Sequence, residues 1–556
     1  MSTGQNRQIT ALLEKIKPAS SQLPANSPLS SKAQAEQWVS HLSPNNAAAT
    51  AVELYKALPQ MVALNIEPSA KKEILEIVYP VVERCSEALL HIHINQDTAK
   101  AVSLAQALMK QLYEGWKSLT YHFGQASTET DASSKEVLTQ CIQRACHTLA
   151  HIQLNSLSLY LQQPGFFWKD LHTLYLLARK LEIHNDVMSD SLAAGMSIQT
   201  LYVKLLLLSC TRPNHFSSYE LKFVYSELDF WASLAELRKG ASGGLFMVDP
   251  HSNQAPFYTD EGSPHSETLI LDTSKLVSFL KDIISEHSNR NLFSDRISQR
   301  VIQDLITQWG EKIKRKETHL KDNAKVMLSS GFTSSVCMLS KTDSFDNFLT
   351  LCGEKDNSFT VKSEDKKHAD SSDVWKQAYD VTLSENSHPE EPITYTPTEK
   401  KKTTLTLFRG IRVNTSLKGA CVELIEGQND SINPGEPIAL RTKDSNSWTA
   451  GIIRWKHITP TLNTVCGIHF PAKHSIPAAV RGFKRGKNSD QRFLQSIILS
   501  KKEDLSGELS ILCPPLRFSE GAKVHLLTVS KKYTAILTEQ IETTENLAHF
   551  KLELCQ

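Results

Sequence analysis

The spacing of apolar residues switches along this 556-residue chain, and the switch limits what it can fold into. From about 31 to 235, and again in two segments between about 272 and 310, apolar residues recur every three or four positions, the period of a helix. Ile74, Ile77, Val81, Cys85 and Ala88 mark one stripe. Leu104, Leu108, Leu112 and Trp116 mark a second, and Leu138, Ile142, Ala145, Leu149 and Ile152 a third. Such stripes are narrow and backed by polar residues, so the helices must bury them against one another. From about 404 onward the apolar residues alternate instead, in short runs broken by turn residues, which is the period of strands. The expected fold class is multidomain α+β: an N-terminal all-α helical bundle or array, followed by small β domains. A chain of this length exceeds a single core.

Local signals refine the first part. Residues 1–30, rich in Ser, Pro, Asn and Gln, read as a disordered tail, and 31–310 as a mainly helical domain. Pro80 lies inside the first stripe and is expected to kink or split that helix. Asp97-Thr98 is a candidate N-cap for the second. Trp168, Leu171 and Tyr175 match the W-x2-L-x3-Y opening of a tetratricopeptide repeat, but His172 replaces its Gly and no second copy follows. A repeat and an ordinary packed helix face both remain open. Gly243 to Val248 and Pro256-Phe257-Tyr258 read as a small β-hairpin near 243–258, around Asp249-Pro250-His251-Ser252-Asn253. Leu269-Ile270-Leu271 is a short strand running into Asp272-Thr273, which caps a helix through Ile284. Phe293, Ile297, Val301, Leu305 and Trp309 mark one helix more.

Charge is balanced, with 61 basic and 60 acidic residues and a formal net charge of +1, so no global field points to nucleic acid or to an anionic membrane. The ten cysteines are scattered without a C-x-x-C pair, as expected of buried reduced thiols in a cytoplasmic protein. The polar N-terminus lacks the apolar core of a signal peptide. The most apolar run, Leu201 to Cys210, contains Lys204 and is far shorter than the roughly 20 residues that span a bilayer. None of the common phosphate-loop, serine-hydrolase, zinc-protease or dinucleotide-binding patterns occurs. A non-catalytic protein with no metal and no resident cofactor is expected; His91-Ile92-His93 alone does not make a metal set.

The strand-rich part carries the most specific pattern. Asn414-Thr415-Ser416-Leu417-Lys418-Gly419 is an N-x-S-x-x-G loop between strand-like runs, Leu405 to Val413 and Ala420 to Ile425. Asn offers an amide that can both donate to and accept from a nucleobase edge. Ser can bond its own turn, and Gly allows φ > 0 and a close backbone approach to a ligand. Gly451-Ile452-Ile453-Arg454-Trp455 and Cys466-Gly467-Ile468-His469-Phe470 follow as strands. This order resembles the PilZ domain, a small β-barrel best known as a receptor for cyclic di-GMP. The helices ending in Tyr225, Phe230 and Trp231, the Gly244 to Asp249 strand and the Leu271-Asp272-Thr273 step resemble the large N-terminal regions of some bacterial PilZ-domain proteins. The resemblance implies a PilZ-like β-barrel over 404–480 and cyclic di-GMP as candidate ligand. Alternation from Gly451 to Trp455, with Arg454 on the other face, places Trp455 in the barrel core.

PilZ receptors usually carry R-R-x-x-x-R ahead of the first barrel strand. Arg409 and Arg412 lie inside a strand and too close to the loop, whereas Lys314-Arg315-Lys316-Glu317-Thr318-His319 has the spacing and is followed by a strand-like Ala324 to Leu328. The domain is then split: a basic segment and first strand at 311–340, a polar linker or insertion at 341–403, and the rest of the barrel. Such an insertion is tolerable because loop-closure entropy grows only logarithmically with length. The candidate cyclic di-GMP set implied is Lys314, Arg315, His319, Asn414, Ser416 and Gly419. An Arg fork clamps phosphate or stacks on guanine, Lys supplies a point charge alone, and His charges only when protonated. The basic segment also reads as a solvated helix end.

Residues 481–556 hold five alternating runs, at 493–499, 509–512, 524–529, 533–537 and 550–554, expected as a small β domain with its own core. The connector from Arg481 to Lys487 interleaves Phe483 with cations, a local nucleic-acid signal that the neutral overall charge argues against. Two functional readings stand. One is a non-catalytic bacterial regulatory protein whose PilZ-like domain responds to cyclic di-GMP, or is a degenerate form, and which acts on an unidentified protein partner through its helical region. The other is a helical scaffold whose β domains mediate protein interaction without a nucleotide.

Overall fold

The computed structural model of the chain describes residues 3–18, 30–43, 46–64, 66–90, 98–126, 132–187, 195–240, 242–287, 299–313, 318–354, 405–425, 431–483, 492–502, 505, 507–515 and 517–555. Among the described residues nine α-helices come first: α1 (Thr3–Lys15), α2 (Lys32–His41), α3 (Ala47–Ala63), α4 (Pro68–Leu90), α5 (Thr98–Ala126), α6 (Ala132–Ser158), α7 (Phe167–Lys180), α8 (Ile198–Ser209) and α9 (Ser218–Trp231). The second and third apolar stripes lie on the buried faces of α5 and α6, whereas the buried face of α4 is Ile74, Leu75, Val78, Tyr79, Val82, Cys85 and Leu89, rotated from the expected stripe so that Ala88 is exposed. α4 runs through Pro80 without a break. α8 is buried all round, as its nearly continuous apolar sequence requires. Its Lys204 is neutralised by Asp229 and lies 3.5 Å from the centre of the Tyr225 ring. Trp168, Leu171 and Tyr175 are buried on α7, where Tyr175 stacks on Tyr202 with ring centres 3.8 Å apart. Ser217 and Glu220 form a reciprocal capping box that starts α9.

The tail expectation is corrected at 3–15. Ile9, Leu12, Leu13 and Ile16 are buried against the helical core, at a helical spacing concealed by the Ser- and Pro-rich residues that follow. His91 to His93 and Asp97 lie outside the described residues.

A four-stranded antiparallel sheet packs on the same core. Its strands β1 (Glu236–Lys239), β2 (Phe246–Val248), β3 (Phe257–Tyr258) and β4 (Leu269–Asp272) are ordered β1-β4-β2-β3. The turn from β2 to β3 begins at Asp249, whose carboxylate accepts from the His251 amide at 2.9 Å. Helices α10 (Ser274–His287) and α11 (Gln299–Gly310) complete this part. Phe293 and Ile297 lie outside the described residues, while Val301, Leu305 and Trp309 are buried on α11.

The remainder forms two closed six-stranded barrels. The first contains β5 (Leu320–Ser330), β6 (Leu407–Ser416), β7 (Gly419–Leu424), β8 (Pro437–Thr442), β9 (Thr449–Ile458) and β10 (Thr464–His469), in the order β10-β7-β6-β5-β8-β9. β5 therefore pairs with strands from beyond the insertion: Val326 faces Gly410 on β6 and Thr442 on β8. The insertion is not wholly a polar linker. α12 (Gly331–Ser340) lies between β5 and the insertion, and within the insertion α13 (Phe345–Leu351) buries Phe348 and Leu349; Phe345, Phe348 and Leu349 form a short helical face that its polar surroundings hid. Residues 355–404 lie outside the described residues.

The second barrel contains β11 (His474–Gly482), β12 (Leu494–Ser500), β13 (Leu509–Cys513), β14 (Lys523–Leu527), β15 (Lys532–Thr543) and β16 (Ala548–Leu554), in the order β11-β12-β13-β16-β15-β14. The boundary expected at 480/481 thus moves, because β11 belongs to the second barrel. Arg481, the last residue but one of that strand, lies over the Phe493 ring, 4.2 Å from its centre, and Phe483 stacks on His525. Among the described residues no helix is long and apolar enough to cross a membrane, and no group of three or more metal-ligating side chains is present. All ten cysteines are free thiols.

Candidate ligand-binding cleft

The N-x-S-x-x-G loop is the hairpin joining β6 to β7. Ser416 pairs with Gly419, which leaves Leu417 and Lys418 as a two-residue turn with Leu417 91 % exposed. The ladder skips Val413, since Arg412 faces Val422 and Asn414 faces Cys421; this bulge re-aims Asn414. A matching irregularity on β5 is filled by Asp322, which accepts from the Ala324 amide at 3.0 Å and from Arg412 Nε at 2.6 Å. Arg412 is thus engaged in the barrel's own seam. Gly419 does not take the left-handed backbone allowed for in its sequence context. Glycine is required there by β10, because a Cβ at 419 would lie 2.9 Å from the Ile468 carbonyl oxygen.

Asn414, Ser416, Lys418 and Gly419 line a cleft of about 610 Å³, within the range of roughly 300–1,000 Å³ usual for small-molecule sites. The barrel adds Arg454, Trp455, Gly467 and His469, the segment entering β5 adds Ile313 and His319, and the turn after α8 adds Arg212 and His215. The His319 Nδ1–H donates to Asn414 Oδ1 at 3.2 Å, joining two candidate residues 95 positions apart. Asn414 Nδ2 and Ser416 Oγ have no hydrogen-bond partner among the described residues. Lys314 and Arg315 lie outside the described residues, so four of the six sequence candidates are seen together.

The charge of the cleft is one-sided. Its described lining residues include Arg212, Lys418 and Arg454 and no carboxylate. Burial, and then the charges of Arg212, Arg454 and Arg300, push the His215 imidazole down to about 4. Burial and Arg454 likewise lower His469, whose Nδ1–H donates to the Lys418 carbonyl at 3.1 Å. Arg454 Nη1 donates to Glu542 Oε2 on β15 at 2.6 Å, so its counter-charge comes from the second barrel. Burial alone would raise the Glu542 carboxyl; the charge and hydrogen bond of Arg454 outweigh it and hold the group below the usual carboxylate range. Among these residues, Arg454 and Trp455 stood in a recognisable motif, whereas Arg212 and His215 carry no sequence signal linking them to a loop two hundred residues away.

Trp455 requires a correction. It is half-buried, belongs to neither barrel core, and lines both this cleft and a second one of about 630 Å³. The cause is a register shift: Trp455 faces Gly467, but Ile453 faces Ile468, so strict alternation fails at Arg454. Ahead of the shift, Ile452 and Ile453 point to opposite faces and are both buried, in different cores. Trp455→Ala is therefore expected to cost less than the roughly 3–5 kcal/mol of a fully buried aromatic. The indole lies so close over Gly467 that a Cβ there would overlap it. Gly467→Ala should displace the ring, shift its fluorescence and cost about 1–3 kcal/mol in a urea melt; an unchanged emission spectrum would contradict this packing.

A closed six-stranded barrel with an N-x-S-x-x-G hairpin beside a cationic cleft defines a PilZ-type domain. Three family models match the chain in series: Cyclic-di-GMP receptor FimW, N-terminal domain, over 32–241; its middle PilZ domain, over 245–477; and the FimW C-terminal beta-barrel domain, over 478–555. The Cyclic-di-GMP receptor FimW of Pseudomonas aeruginosa is 23 % identical over 553 residues, covering 92 % of this chain and 89 % of the relative. No solved structure matches the chain. The chain belongs to the FimW family of PilZ-domain proteins.

Proposed function

We propose that this chain is a non-catalytic regulatory protein that responds to cyclic di-GMP through the cleft beside the Asn414 hairpin. The observation that carries the reading is the His319–Asn414 contact at the mouth of a cleft lined by cations and, among its described residues, by no carboxylate. Cyclic di-GMP presents two phosphates and two guanine faces. Asn414 Nδ2 and the Ser416 hydroxyl, without a hydrogen-bond partner among the described residues, suit a guanine edge or phosphate oxygen, and the half-buried Trp455 offers a ring for stacking. Lys314 and Arg315 join the set as proposed phosphate ligands on the strength of their sequence spacing. Binding shifts the orientation of the helical region only if the nucleotide has different affinities for the two states.

Isothermal titration tests the reading. Loss of a hydrogen bond to a charged group costs about 1.5–3 kcal/mol, or roughly ten- to a hundred-fold in affinity. Asn414→Ala and Arg315→Ala should each weaken binding by such a factor. No heat and no thermal shift with ligand near a millimolar would remove the receptor reading.

A protein partner acting through the helical region is the finer part of this proposal. Val52 and Tyr55, 44 % and 51 % exposed on α3, supply apolar surface for it. A Val52→Glu, Tyr55→Ser variant should keep its nucleotide affinity and lose the cellular response; a full response would exclude α3 as that surface.

A further inference from the structure

The turn after α8 contains one residue whose backbone and side chain are otherwise unexplained. Arg212 sits at φ 50, ψ 62, in the left-handed region, which is unfavourable for a residue other than glycine. Strain of this kind persists where surrounding structure holds it, and it clusters at ligand clamps. Here the holding structure is visible: Thr211 is fully buried, Pro213 follows, and the Tyr160 hydroxyl donates to the Phe216 carbonyl at 3.1 Å. Arg212 itself is exposed, and its guanidinium has no hydrogen-bond or ion-pair partner among the described residues. It lines both clefts that flank Trp455.

The other arginines nearby are engaged. Arg454 is paired with Glu542, Arg300 with Glu220 and Asp304, and Arg412 with Asp322. Arg212 is therefore the unspent fork of the cleft among its described residues, and it comes from the helical region rather than from the barrel. The two parts meet beside it, where the Ile458 amide on β9 donates to the Tyr160 carbonyl at 2.9 Å and the Lys456 ammonium lies 5.0 Å from the centre of the Tyr160 ring.

We propose that Arg212 is the helical region's own ligand contact, clamping a phosphodiester oxygen of the nucleotide held by the Asn414 hairpin, so that the bound ligand bridges the two parts of the chain. This rests on the cyclic di-GMP reading above. A planar fork suits a phosphodiester better than a point charge, so Lys at 212 is a poor substitute. Burial first, and then the charges of Arg212, Arg454 and Arg300, lower the His215 imidazole in the same cleft.

The decisive variant is Arg212→Gly. Glycine adopts this backbone freely, so the thermal midpoint should hold or rise, while cyclic di-GMP affinity should fall roughly ten- to a hundred-fold in isothermal titration. Arg212→Lys should recover only part of the loss. Wild-type binding that is weakened by Asn414→Ala but unchanged by Arg212→Gly overturns this inference and leaves the receptor reading standing. Absence of binding by the wild-type chain overturns both.

Discussion

Phe348→Ala is expected to destabilise both barrels together, by about 3–5 kcal/mol. Phe348 is fully buried on α13, in a core that no single barrel owns. Val336 joins it from α12 and Leu349 from α13, Ala450 and Ile452 from β9 of the first barrel, and Ile497, Leu499, Leu512 and Leu527 from the second. Removing the ring leaves a cavity against all three groups, and neighbours held in closed barrels cannot collapse to fill it. In urea the midpoint should fall without a change in slope. Hydrogen exchange should show β5 through β10 and β11 through β16 losing protection in step. Exchange that accelerates only in α13 would mean the helix merely rests on the barrels.

Acid should unfold the helical region well before its surface carboxylates titrate. Burial pushes His172 down to about 4; its Nε2–H donates to the Gln254 carbonyl at 3.0 Å, and its Nδ1 accepts from the Tyr202 hydroxyl at 2.7 Å. His147 is also pushed to about 4, by burial first and then by the charges of His151, Lys204 and Arg144, against the opposing pull of Glu83. In the unfolded chain both would take up a proton near 6.5. Between about 6.5 and 4 the unfolded state therefore binds more protons, so the stability present above 6.5 is lost as pH falls. Each histidine can contribute a slope of up to about 1.4 kcal/mol per pH unit in that window. Urea midpoints measured at pH 7, 6 and 5 should fall steeply, and His172→Gln with His147→Gln should flatten the fall. An unchanged slope in the double variant would exclude these groups as its cause.

The two parts of the candidate site differed in how far they could be read in advance. The Asn414 hairpin was legible because its turn residues and flanking alternation are local. β5 was legible, ahead of a long insertion, because a basic segment at the expected spacing precedes an alternating run. β11 was missed because Pro477 and the small Ala478 and Ala479 give it weak strand character, although Pro477 faces Ile497 in the ladder. Trp455 was misplaced because alternation cannot foresee a bulge. Arg212 was invisible: its importance comes from where α8 ends against β9, and no local pattern encodes that meeting.

The Arg454–Glu542 pair changes what a truncated chain would measure. The boundary between the second and third family models, at 477/478, passes between these two residues and through β11. A fragment ending there keeps every described lining residue of the cleft yet strips Arg454 of its counter-ion, leaving a partly buried cation uncompensated. Its cleft gains one net positive charge, and an anion binding to it would see a stronger field than in the intact molecule. The fragment is a different electrolyte from the whole, and its dissociation constant would describe the fragment alone.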